Sequence, residues 1–169
     1  MQLEEQVQAI AAGESIDKVG SADRMPARDF IDNQGGEFVA SFPRGISLGI
    51  FLLDAIVDLL PRREEEWVSL NYTYHAYELI NMRLDLAASK ISSFLQRQGY
   101  RAYPVPASQF VDRERICGIY SNKLTAHLAG LGWIGKNCML ITPERGPRIR
   151  WATVLTNAPL EPTGSPLQD

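Results

Sequence analysis

The chain reads as an α+β fold: a single domain with a mixed, largely antiparallel sheet and flanking helices. Three observations lead there. Helical and strand-like periodicities mix along the chain without the strict strand–helix repeat of a doubly wound fold. A turn at Glu144–Pro147 lies between two apolar runs and reads as a hairpin joining Leu140 to Ile149. The length, 169 residues of which 45% are hydrophobic, is that of one domain with enough apolar material for a sizeable core. No internal repeat or low-complexity segment interrupts it.

Glu4 to Ala12 has helix-forming composition and Gly13 stops it. Ile16–Gly20 suits a short strand before the turn-like Ser21–Arg28, and Phe30–Gly36 reads as loop. In Gly45–Ile50, Ile46, Leu48 and Ile50 alternate with small or polar residues, the period of a strand. Phe51–Leu60 continues as a helix ended by Pro61, and the charged run Arg62–Glu66 is a solvated connector. From Tyr74 to Gln98, the residues Tyr77, Leu84, Ile91 and Phe94 or Leu95 recur at helical spacing, with Gly99 as the stop of this longest helix. Tyr100–Val105 is a strand that Pro104, lacking an N–H, assigns to an edge or makes irregular. Pro106–Ile119 is a long loop with a turn of helix. Ser121 then caps a short helix with Leu124, Leu128 and Leu131 on one face, ended at Gly130 and Gly132. Asn137–Thr142 suits a short buried strand before Pro143, and Arg148–Leu155 is the last strand.

Composition excludes several classes. A net charge of −3 argues against non-specific nucleic-acid binding as the main task. Lys136, Arg145, Arg148 and Arg150, opposed by Glu144, form a local cationic stretch that reads as a solvated loop or as a phosphate contact. Two cysteines make no disulfide framework, and Glu4 and Glu5 interrupt any charged-then-apolar leader, so a cytoplasmic protein is expected and the Asn71-Tyr72-Thr73 sequon carries no meaning. The most apolar run, Ile46–Leu60, contains Asp54 and Asp58 and falls short of the roughly 20 residues that span a bilayer. It is core, and no membrane partner is expected.

Gly130, Gly132 and Gly135 have the GxGxxG spacing, with Lys136 behind them. A dinucleotide fingerprint needs a strand before those glycines and a helix after them, so that pyrophosphate meets the positive end of the helix. Here the order is reversed. A helix C-terminus would face the loop with its carbonyl groups, and the dinucleotide reading lacks its structural context.

Read whole, AGLGWIGKN, a short apolar strand and TPERGPRIRWATVLTNAPLEP closely resemble the epoxyqueuosine reductase family and its relatives among corrinoid iron–sulfur reductases. The likeness is strongest over Ala126–Pro162. Upstream, NYTYHAYELINMRL is similar to the family's helix start and IDKVGSAD to its first strand. The resemblance implies a cobalamin held in an α+β domain distantly like nitroreductases. It also implies electrons delivered from two 4Fe-4S clusters in a ferredoxin-like segment. Cys117 and Cys138 lie far apart without the CxxCxxC run a cubane cluster requires, so those clusters are expected only in a segment or partner outside this chain. On that view residues 1–158 are a corrinoid-binding-like domain and 159–169, with Pro159, Pro162, Gly164 and Pro166, a linker towards the iron–sulfur segment.

The cofactor-binding candidates are Gly130, Leu131, Gly132, Trp133, Ile134, Gly135, Lys136 and Asn137, with His75 beside them. Trp133 lies between glycines, where its indole can cover a flat ligand or fill core under a tight turn. Lys136 can reach a propionamide or phosphate, or water; Asn137 can pair with a corrin-rim amide or shape the turn. His75 stands among Tyr72, Tyr74 and Tyr77, a cluster able to hold a ligand or to staple a helix start, and His127 is a weaker candidate. Two histidines, two separated cysteines and no HExxH or CxxC give no metal site in the protein itself. Without a GxSxG elbow, Cys117 and Cys138 read as small buried residues. The family's proton-delivering acid, in a pattern like VDxGP, falls on Val105 or Pro106 counted from one side and on Ile116 from the other. Only Asp112 and Glu114 are acids nearby, so the catalytic residues stay unknown.

The reading is therefore the corrinoid-binding, substrate-facing part of an iron–sulfur reductase acting on a small or tRNA-borne substrate. Its rivals are a noncatalytic binding or assembly module that kept the fold, and a flavin-binding nitroreductase-like protein.

Overall fold

A computed structural model describes residues 2–109, 114 and 117–167. Helix α1 (Leu3–Gly13) precedes β1 (Lys18–Asp23), and α2 (Arg28–Ala40) precedes β2 (Arg44–Phe51). Short α3 (Asp54–Val57) leads to α4 (Glu66–Thr73), which runs through a π-helical turn (Tyr74–Leu79) into α5 (Ile80–Arg97). Then come β3 (Ala102–Val105), α6 (Asn122–Leu128), β4 (Trp133–Ile134), β5 (Leu140–Ile141) and β6 (Ile149–Thr156).

The main sheet has the order β1-β2-β6-β3, and every neighbouring pair is antiparallel. Its two central strands are buried on both faces, so apart from Arg44 and Arg150 they are built of apolar, small or hydroxyl residues. Ile46, Leu48 and Ile50 of β2 and Ala152 and Val154 of β6 meet Ile80, Leu84, Ile91 and Leu95 of α5 and Val7 and Ala11 of α1 in the largest core cluster. On the other face Gly45 admits the Arg24 side chain and Gly49 the Trp151 ring, each closer than a Cβ would allow, with Thr125 of α6 tight against Gly45. Arg24 is 1% exposed there. Its guanidinium donates to the carbonyls of Phe42 and Val39 and lies 4.7 Å from the ring centre of Tyr120, whose hydroxyl is 2.7 Å from Thr125 Oγ1. A buried cation so partnered ties the end of α2 to α6.

The strands differ in length, and that shapes one edge. β2 pairs with β6 from Ile149 to Thr156, whereas β3 reaches only Thr153–Thr156. Ile149–Ala152 therefore has no β3 neighbour.

Several expectations are corrected. Phe30–Gly36 is helix, because Ile31 and Val39 of α2 are buried against Phe42 and Tyr120 while Gly36, at φ 79°, kinks the helix instead of ending it. Strand β1 begins later than Ile16 and runs through Ser21–Asp23, held by the register with β2. Phe51–Leu60 is no single helix: Phe51 completes β2 and only Asp54–Val57 is α-helical. Asn137–Thr142 is a strand only at Leu140–Ile141, which pairs with Trp133–Ile134; the expected hairpin from Leu140 to Ile149 is replaced by this one, since Ile149 pairs with Phe51. Tyr77 is exposed, because the wide π turn shifts it off the buried stripe of α5. Part of the Pro106–Ile119 loop, with Asp112 and Ile116, lies outside the described residues.

Leu84 is fully buried against the sheet and Met82 is 56% exposed on the same helix. Leu84→Ala should lower unfolding free energy by about 2–5 kcal/mol, and Met82→Ala should stay within about 0.5 kcal/mol. Urea denaturation midpoints with unchanged slope check both.

Candidate functional site

A cleft of about 500 Å³ opens where β3 abandons β6. Its walls are Tyr103 and Val105 of β3, the segment Pro106–Gln109, the segment Cys117–Lys123 leading into α6, Met139 and Leu140, and Ile149–Trp151 of β6. Pro106, directly after the last paired residue of β3, has no N–H with which to extend the ladder. The walls are mostly flat or branched apolar groups, with Gln34, Gln109, Ser108, Ser121 and Asn122 among them. A mostly apolar concavity with a few polar groups is the usual form of a small-ligand site.

Among the described residues, two polar atoms of this wall lack any partner: Trp151 Nε1 and Asn122 Oδ1. The benzo edge of Trp151 lies over Gly49 of β2, and its Nε1 is enclosed. Asn122 Nδ2 is spent on the Pro106 carbonyl at 3.0 Å, so its oxygen is the free end. An unpaired buried donor or acceptor costs about 1–3 kcal/mol.

The Gly130–Asn137 segment forms a tight hairpin beside this cleft. Gly130 ends α6 at φ 75°, and Leu131 N–H returns to the Ala126 carbonyl at 3.0 Å. A Cβ on Gly130 would meet Ser165 backbone and one on Gly132 the Ile141 carbonyl, so both glycines serve close approaches within the chain. Trp133 is partly buried in β4; Ile134, Lys136 and Asn137 are exposed, and Leu131 and Gly135 partly so. Asn137 Oδ1 accepts from Met139 N–H at 3.0 Å and shapes the turn. The described wall of the cleft contains none of Gly130–Asn137 but does contain Met139 and Leu140, which follow them.

His75 lies apart from that wall. It is 6% exposed, and its Nε2 accepts the Leu53 N–H at 3.2 Å. Burial, with Arg83 adding to it, lowers its pKa below the ordinary 6.5. Tyr72 and Tyr77 pair edge-on at 6.2 Å, and Arg150 stacks on Tyr77 at 4.4 Å. His127 Nδ1 is 3.2 Å from the Gly132 carbonyl, and Nδ1 donates in the tautomer that makes this bond. Cys138 is exposed at φ 59° rather than buried, while Cys117 is half-buried in the cleft wall. Asp85 of α5 was not anticipated: its carboxylate accepts the Ala107 N–H at 2.8 Å, beside the Val105–Pro106 position where an acid was sought. Burial raises its pKa and the Ala107 N–H partly opposes this. It borders a second hollow of about 360 Å³ that shares Ser108 and Gln109 with the cleft.

No family model matches the chain. Among curated relatives, the epoxyqueuosine reductase of Bacillus cereus is 40% identical over 52 residues, 31% of this chain and 13% of the relative. That of Pseudomonas aeruginosa is 30% identical over 147 residues, 83% of this chain and 37% of the relative. The chain is epoxyqueuosine reductase-like. It spans well under half the length of either relative. An epoxyqueuosine reductase solved with an epoxyqueuosine-modified tRNA-Tyr stem loop matches this epoxyqueuosine reductase-like chain over 99% of its residues and 48% of its own, with a TM-score of 0.56 and 20% identity. A reductive dehalogenase, described with a mechanism for B12-dependent dehalogenation, matches 97% of the chain and 20% of its own, with a TM-score of 0.64 and 20% identity. Both are likenesses of fold. No helix among the described residues is long and apolar enough to cross a membrane.

The lowered pKa of His75 fixes a sign for pH dependence. Between its folded value and about 6.5 the unfolded chain binds a proton that the native chain refuses, so this contribution is present above pH 6.5 and is lost on acidification. The melting temperature should fall between pH 7.5 and 5.5, and His75→Gln should flatten that part of the profile.

Proposed function

We propose that the cleft beside the unpaired half of β6 seats a corrinoid, and that the chain is the corrinoid-binding, substrate-facing part of a reductase resembling epoxyqueuosine reductase. The observation that carries this is the pairing of a flat apolar wall with a few polar groups in a chain whose relatives are epoxyqueuosine reductases. A corrin is a planar macrocycle whose rim carries amides. Such a rim takes both donors and acceptors, and Gln34, Gln109, Ser108, Ser121 and Asn122 offer them beside Lys123 and Arg150.

In this reading Tyr103, Val105, Ile149 and Trp151 exclude water from the ring face, and Asn122 and Trp151 orient its rim. Met139 and Leu140 carry the Gly130–Asn137 turn to the lip, where Trp133, Lys136 and Asn137 meet the corrin edge. The bound cobalamin supplies the reducing centre, and the protein supplies placement and a dry surface. Electrons come from 4Fe-4S clusters in an iron–sulfur segment or partner, because two cysteines are fewer than the four thiolates one such cluster takes. The substrate is a small molecule or a tRNA-borne base presented at the cleft mouth.

Mixing the pure protein with hydroxocobalamin should shift its visible bands, and the colour should co-elute with protein on a sizing column. Trp151→Phe and Asn122→Ala should each weaken binding about 5- to 30-fold, the equivalent of one hydrogen bond of about 1–2 kcal/mol. Cobalamin eluting wholly apart from the wild-type protein would overturn the reading.

A further inference from the structure

Away from the cleft, the rod formed by α4, the π turn and α5 keeps large apolar side chains uncovered. Trp67, Leu70 and Tyr74 lie at i, i+3 and i+7 from α4 into the π turn, and Leu79, Met82 and Leu86 repeat that spacing from the π turn into α5. Residues so spaced share one helix face. The step of five from Tyr74 to Leu79 crosses the π turn, whose hydrogen bonds run i→i+5, so the two triplets join in one stripe. Continued at α spacing, the stripe would instead have met Glu78, Asn81 and Asp85. Each of the six apolar residues is between 39% and 65% exposed, while Val68, Ile80 and Leu84 of the same rod are buried.

At those exposures the six side chains offer on the order of 600 Å², the upper end of what a monomer leaves in one apolar patch. A standard interface buries roughly 800 Å² per partner, a little over half of it apolar, so the stripe suffices for one. It is also complementary to itself. A second copy turned end over end about an axis between Tyr74 and Leu79 sets Trp67 of one copy against Leu86 of the other, Leu70 against Met82 and Tyr74 against Leu79. Charge agrees at the ends of the seam. Arg62 and Arg63 pair with Glu65 and Glu64, which leaves Glu66 as the spare acid beside Trp67. Lys90, one turn beyond Leu86, is 58% exposed at its side chain even while it holds Glu14, and the antiparallel arrangement brings it to that acidic end.

We propose that this stripe is the seam of a homodimer, in which a second copy packs its α4–α5 rod antiparallel against the first about a two-fold axis at the π turn. The interface is isologous, so two copies satisfy it and no further copy is recruited. The second copy's Trp67 then lies over the rim of the second hollow, to which Met82 and Leu86 belong, and the dimer roofs that hollow. The dimer is independent of what the cleft holds. With no buried charge pair to anchor it, the seam belongs at the weak, roughly micromolar end for its size, and dilute protein is monomeric.

Sedimentation equilibrium over about 1 to about 300 μM protein should pass from one chain mass to two. Leu70→Glu should raise the dissociation constant at least about 50-fold, whereas Phe30→Glu, at an equally exposed place on α2, should leave it within about twofold. The axis is read by cross-linking after Cys117→Ser and Cys138→Ser. An equal mixture of Leu70→Cys and Met82→Cys chains should form a disulfide-linked dimer under mild oxidation. Leu70→Cys alone should not, because the two copies of residue 70 lie about 20 Å apart along the seam, beyond the roughly 7 Å a disulfide spans. A single chain mass at every concentration overturns the dimer, as does a dimer that Leu70→Glu leaves intact. Cross-linking of Leu70→Cys alone as fast as the mixture overturns the antiparallel axis, a readout that stands even if the glutamate variant fails to fold. A monomer that pellets with phosphatidylglycerol vesicles, and no longer does so as Leu70→Glu, gives the stripe to a membrane surface and overturns the second copy as its occupant.

Discussion

The central constraint is the unequal pairing of β6. An eight-residue strand has β2 along its full length on one side and β3 along only its second half on the other. Backbone groups in a sheet interior must be paired, so a strand edge left open invites water, a ligand or another chain segment. The opening is marked in the sequence: Pro106 follows the last residue of β3 and has no N–H to extend the ladder. On the far side Gly49 yields room to the Trp151 ring. The cleft is thus a product of two strand ends and one missing side chain.

The same strand sorts its charges by the two-residue period. Ala152 and Val154 enter the core beneath α5, and Arg150, on that parity, crosses to Asn81 and Tyr77. Ile149, Trp151 and Leu155 face α6 and α2. The turn before the strand sends Arg145 and Arg148 to the acids of α3, where exposed ion pairs are worth little individually but neutralise the loop. Electrostatic character at the cleft therefore arises from which cations lack acids, and composition alone conceals that.

Much of this was legible in advance. The 3.6-residue spacing of Leu84, Ile91 and Leu95 revealed the long helix, and Gly99, at φ 88°, ends it as glycine does. The alternation in β2, the edge position of β3 and the helix-then-strand context of the glycine motif were also plain. α2 was hidden because Gly35 and Gly36 mimic a break, although Gly35 is there to let the Ile119 carbonyl approach. The false hairpin arose because a turn at Glu144–Pro147 does exist, closed by Thr142 and Gly146, but its arms separate to different sheets. Trp151 and Asn122 escaped notice as site residues because their unpaired atoms become visible only when neighbours far apart in sequence are assembled. The alternation of Ile149, Trp151 and Thr153 against an edge strand broken by prolines was the available signal.

The π-helical turn at Tyr74–Leu79 has a consequence for how this rod of helix can diverge. One residue more than an α turn offsets the two helices by about 100° of rotation, so α4 shows Trp67 and Leu70 outward while α5 keeps Ile80 and Leu84 against the sheet. Insertion or loss of a single codon there would dial the outer segment to a new azimuth without re-registering any strand. The exterior of the fold is in that sense geared separately from its interior.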